Sequence, residues 1–74
     1  MTELERWEYA VWRVTRPDTG NAKVTHVNGR RALNPVSLFD ELERAGLAGW
    51  ELVSTLPVGE RRGAMFFRRR LVED

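Results

Sequence analysis

The stretch from Trp7 to Thr15, WEYAVWRVT, constrains the fold more than any other part of this chain. Dense in Trp, Tyr, Val and Thr and free of helix breakers, it reads as a β-strand. Alternation places Trp7, Tyr9 and Val11 on one face and Ala10, Trp12 and Val14 on the other. Both faces are apolar, so a sheet built on this strand needs cover on both sides.

The means of supplying that cover are few. With 74 residues, the sequence has room for one small domain over 1–74. A domain of this size buries only about 60% of the surface its unfolded chain exposes. The absence of cysteine removes disulfides, thiolate zinc sites and iron–sulfur clusters, and one histidine, His26, cannot build a histidine-rich metal site. No metal or cofactor is therefore expected, and oligomerisation is the stabilising device left open.

The remaining segments read as strand, strand, helix, strand, strand. After the turn-rich residues Arg16 to Asn21, Lys23 to Asn28 reads as a weaker strand joined to the first by a hairpin and ending at Asn28-Gly29. Asn34 followed by Pro35 suits a helix N-cap with proline at the first helical position, and Leu33 and Leu38 suit a hydrophobic staple. Leu38, Leu42 and Ala45, with Phe39 at the edge, make the apolar face of that helix, while Asp40, Glu41, Glu43 and Arg44 look outward. Gly46 would end it, with Leu47 folding back on Leu42. Trp50 to Leu56 and Ala64 to Leu71 return to strand alternation.

These segments predict an α+β domain in which one helix packs on a mainly antiparallel four-stranded sheet. The helix is expected to meet the phase holding Trp7, Tyr9, Val11, Trp50, Leu52, Leu56, Met65, Phe67 and Leu71. Antiparallel pairing is the commoner choice, which places the last strand between the first and third; adjacent parallel first and third strands are the alternative.

Trp7-Glu8-Tyr9 with Val11, then LERAGLAGWELV from Leu42 to Val53, then Phe66-Phe67-Arg68-Arg69, form a pattern across most of the chain. It resembles the small bacterial and phage proteins grouped as domain of unknown function 4177. Members typically open with a WEY-type strand, run through a helix ending in a Leu-Gly-x-x-Gly-Trp-Glu-Leu-Val turn, and close with an aromatic strand ending in basic residues. Here the motif departs in having Ala45 before Gly46 and Leu47-Ala48 before Gly49. The resemblance leaves out Arg16 to Ala32. It implies a similar fold and a small accessory protein of bacterial or phage origin, and it supplies no catalytic residues.

The residues themselves point away from catalysis. His26 lies in a weak strand, with Ser37 and Ser54 on distant elements, so no nucleophile has a visible base. Asp40, Glu41 and Glu43 sit on the outward helix face. Gly59 and Gly63 lack the Gly-Lys-Ser/Thr ending of a phosphate-binding loop. No apolar run approaches the roughly 20 residues that span a membrane, and Met1 to Glu8 is acidic rather than basic-then-apolar, so the expected compartment is the cytoplasm.

What remains is an interaction surface. Ala10, Trp12, Val14, Val53 and Phe66, flanked by Arg68, Arg70 and Glu51, would form an outer sheet face that one helix cannot cover, with the ring and arginine composition of a protein interface. A symmetric homodimer through Trp12, Val14, Val53 and Phe66 is expected, with an unidentified protein partner in an accessory or regulatory role. The covers that compete with it are Met1 to Arg6 or Arg16 to Ala32 folding over the face. The alternative function is single-stranded nucleic-acid binding by Phe66 and Trp12 among Arg68 and Arg70. Twelve basic against eleven acidic residues is too even for a dedicated nucleic-acid coat, although the chain ends basic and all its cations but Lys23 are arginine.

Overall fold

The structure, a computed structural model, describes residues 5–71. Trp7–Thr15 is β1 and Lys23–Val27 is β2, paired antiparallel as a hairpin. Asn28 and Gly29 then turn the chain with positive φ at both, 51° and 82°, the signature of a tight two-residue hairpin turn. That turn returns the chain alongside β2 as a further strand, β3 at Arg30–Ser37. Helix α1 follows at Leu38–Leu47, then β4 at Glu51–Pro57 and β5 at Arg62–Arg70.

The expected four-stranded sheet is thus corrected to five antiparallel strands in the order β3-β2-β1-β5-β4, with three strands before the helix and two after it. The last strand does lie between the first and the strand that follows the helix. The added strand occupies the segment read as a helix start. Pro35 lacks an N–H and so suits an edge strand as well as a first helical turn. Here β3 pairs at its two ends, Arg30 and Arg31 against Val27 and His26, then Val36 and Ser37 against Val24 and Lys23, with an irregularity between them. Leu33, in that irregular stretch, is 98% exposed and staples nothing.

The helix begins one turn later than expected, with Ser37 as its N-cap, Asp40 and Glu41 in its first turn and Arg44 in its last. It also ends later. Gly49, with φ at 91°, is the left-handed residue; its N–H reaches the Gly46 carbonyl at 3.0 Å, and the Trp50 N–H reaches the Ala45 carbonyl at 2.9 Å. These two bonds make the Schellman stop, three residues beyond the expected glycine. Trp50 accordingly packs back toward Ala45 in the core, whereas Leu47 is 87% exposed.

The core lies between the helix and one face of the sheet: Ala10, Trp12, Val24, Ala45, Met65 and Phe67, with Val14, Leu38, Leu42 and Trp50 packed around them. The Trp12 and Phe67 rings meet at 4.1 Å in a tilted arrangement. Register explains which face is covered. Ala10 stands opposite Phe67 and Trp12 opposite Met65, so the even-numbered residues of β1 share the helix side with Met65 and Phe67. The expected assignment of Trp7, Tyr9 and Val11 to the core is therefore reversed. An irregularity between Leu52 and Ser54 in β4 likewise turns Leu56 to stand opposite Ala64, away from the helix.

The two glycines at the helix end respond to alanine with opposite signs. Gly46, the penultimate residue of the helix, has open space around its would-be Cβ, and Gly46→Ala stabilises by about 0.4–1 kcal/mol through the unfolded chain's smaller freedom. Gly49→Ala, at φ 91°, costs about 1–2 kcal/mol for the left-handed backbone. Urea unfolding of the two variants reads this difference.

Candidate binding surface

The far side of the sheet carries no helix. Its residues follow from register: Trp7, Tyr9, Val11 and Arg13 of β1 stand opposite Arg70, Arg68, Phe66 and Ala64 of β5. Outward from these two central strands, Arg13 neighbours His26, and His26 neighbours Arg31; on the other side, Phe66 neighbours Ser54 and Ala64 neighbours Leu56. One row thus crosses all five strands as Arg31, His26, Arg13, Ala64 and Leu56. Thr15 and Arg62 close the face at one end.

Of the residues read as an interaction surface, Phe66, Arg68 and Arg70 are brought together on this open face. Val53 sits at the β4 irregularity, exposed. Trp12 and Val14 are not part of it: Trp12 is 6% exposed beneath the helix, and Val14 packs against the same core. The surface centred on Trp12 is corrected accordingly. The cause is that both phases of β1 are apolar, so alternation alone does not choose between them. Trp7 and Tyr9 take the place of Trp12 on the open face, and the signal for them was the unbroken odd phase of the same strand.

Of the expected covers, the Arg16 to Ala32 segment contributes β2 and the following turn to the sheet itself, while the first four residues of Met1 to Arg6 lie outside the described residues and Glu5 reaches Arg70 of this face at 4.0 Å. Tyr9 is 68% exposed. Asn28 fastens the turn to β1 at the margin of the face, its side-chain oxygen accepting from the Val11 N–H at 2.8 Å and its own N–H donating to the Val11 carbonyl at 2.7 Å.

The three consecutive arginines of β5 divide by strand alternation into two jobs. Arg69 points to the helix side, where it is ion-paired with Glu8, lies 4.4 Å over the Trp50 ring and donates to the Ala48 carbonyl at 3.1 Å. It therefore neutralises Glu8 and binds the negative end of the helix dipole. Arg68 and Arg70 are on the open face. Arg68 stacks 4.3 Å over Trp7 and reaches Glu51 at 3.4 Å, while Arg70 lies 4.0 Å from Glu5. Arg13, Arg31 and Arg62 have no ion pair among the described residues.

The face offers cations and rings and little else. His26 Nδ1 lies 3.0 Å from the neighbouring Thr25 hydroxyl within β2. Among the described residues no group of three or more His, Cys, Asp or Glu is placed to hold a metal. No helix there is long and apolar enough to cross a membrane. No protein-family model, curated protein or solved structure matches the chain.

The division of labour within β5 has a measurable consequence. Arg69→Ala, which removes charged hydrogen bonds from a half-buried site, lowers stability by about 1–3 kcal/mol, and Arg69→Lys restores only part of it because an ammonium lacks the planar fork. Arg70→Ala stays within about 0.5 kcal/mol. Thermal melts of the three variants make the comparison.

Proposed function

We propose that the chain is a small, non-enzymatic accessory protein of the cytoplasm that works by binding a negatively charged macromolecule on the open face of its sheet. The observation that carries this reading is the pairing of exposed rings with uncompensated cations on a single surface. Tyr9 stands exposed beside Arg68, and Arg13, Arg31 and Arg62 have no ion pair among the described residues. Arginine and aromatic side chains dominate the energetics of binding surfaces, and a bare arginine cluster selects an opposite charge.

The same cations argue against a second copy stacked face to face. A two-fold axis through this surface would set Arg13, Arg62 and Arg68 against their own kind, and like charges brought together on losing water cost several kcal/mol. The self-association expected from the sequence is therefore not carried into the proposal. The absence of catalysis is supported by the setting of His26, whose nearest hydroxyl is a neighbour on its own strand rather than a nucleophile across a cleft.

Capture from a lysate of the source cells tests this reading. Immobilised wild-type protein is compared with a double variant, Arg13→Glu with Arg62→Glu, and with a control, Arg44→Glu, on the helix, each with and without nuclease. The expected result is an anionic species held by the wild type and the control and lost by the double variant. An identical captured set on all three overturns the proposal.

A further inference from the structure

We infer that the open face is a platform for single-stranded nucleic acid. The inference rests on the reading of that face as an anion-binding surface and names its occupant.

Arginine and aromatic side chains anchor protein interfaces and single-strand platforms alike, so what favours a nucleic-acid strand is the way rings and cations alternate on this face. Here the central strands are β1 and β5, and Arg13, Arg68 and Arg70 lie on those two strands, interleaved with Trp7, Tyr9 and Phe66. The edge strand β4 carries Glu51, Ser54 and Leu56 on this side, with Glu51 paired to Arg68 at 3.4 Å. A nucleic-acid strand needs that alternation, because each base offers a π-face to a ring while each linking phosphate asks for a cation.

The spacing suits it as well. Same-face residues along a strand are about 6.7 Å apart and neighbouring strands about 4.8 Å apart. Tyr9 and the residues diagonal to it therefore alternate ring and guanidinium over distances that a base and its own phosphate can bridge. An open sheet face bearing rings admits unpaired bases while giving a duplex, whose bases are stacked inside, only the charge contacts. The preference is for single strands. The near-zero net charge does not oppose this: Glu51 and Glu5 pair with Arg68 and Arg70, while Arg13, Arg31 and Arg62 have no ion pair among the described residues.

Fluorescence anisotropy with a labelled fifteen-nucleotide oligothymidine and a duplex of the same length provides the test, on wild-type protein and on Tyr9→Ala, Tyr9→Phe and Arg13→Ala. Tyr9 and Arg13 are exposed, and a thermal melt of each variant checks that it is folded. Saturable binding of the single strand is expected, tighter than for the duplex. Tyr9→Ala weakens it about 5- to 150-fold with the salt dependence unchanged, as loss of one stacked base requires, and Tyr9→Phe restores it. Arg13→Ala flattens the slope of log affinity against log salt by about 0.7, the value of one single-strand phosphate contact. Equal binding of duplex and single strand, or indifference to Tyr9→Ala, overturns the inference. No binding of either nucleic acid overturns it too, and if nuclease-insensitive capture still depends on Arg13 and Arg62, the occupant is an acidic protein and the broader proposal stands.

Discussion

A single ten-residue helix has to close a five-stranded sheet, and it is too narrow to do so. Five strands span about 19 Å between the outermost axes, against a helix about 10–12 Å across. The helix covers the middle of one face, where Ala10, Trp12, Val24, Met65 and Phe67 meet Ala45. It leaves β4 exposed along its whole length and, among the described residues, puts no helix on the far face. The radius of gyration, 14.1 Å, exceeds the roughly 11 Å of a compact chain of this length. Every other feature follows from that shortfall: a core of few residues, apolar groups left in water, and one broad surface for a partner.

With so thin a core, the polar contacts around the helix end carry unusual weight. Ala45 is the one buried residue of the helix, and the Schellman bonds at Gly49 and Trp50 fix the direction in which the chain leaves it. Arg69 then ties that end to the sheet through the Ala48 carbonyl, the Trp50 ring and Glu8. The aromatic strand ending in basic residues is thus a structural device at Arg69 and a surface at Arg68 and Arg70. Two-residue periodicity is what lets one short run of arginine serve both.

The parts legible in the sequence were those with one physical solution. β1 was visible from its density of aromatic and β-branched residues, β4 and β5 from the alternation of apolar residues, and the helix from Leu38 to Ala45 from its apolar stripe. The third strand was not, because Asn34-Pro35 satisfies the start of a helix and an edge strand equally; the positive-φ pair Asn28-Gly29 was the better guide, since such a turn commits the next residues to pair. Trp12 was misplaced for a related reason. With apolar residues in both phases of β1, the choice falls to tertiary register, where Ala10 opposite Phe67 leaves room for that ring beneath the helix and Trp12 stacks against it. The irregularity in β4 that moves Leu56 to the other face has no local sequence mark at all.

Net charge shows the same limit from another side. A balance of +1 over the whole chain describes a nearly neutral protein only if the charges are mixed in space, and the fold separates them. Strand register sends Arg13, Arg31, Arg62, Arg68 and Arg70 to the open face, where Glu51 and Glu5 pair with Arg68 and Arg70 and leave the other three without an ion pair among the described residues, while Asp40, Glu41 and Glu43 ride on the helix that covers the other. An approaching strand of phosphates or an acidic surface responds to the near face, because in physiological salt the field of charges more than about 8 Å away is largely screened. Charges on the helix lie on the far side of a sheet and a core layer, roughly 10 Å of packing away, so the open face acts as a cationic surface despite the neutral total.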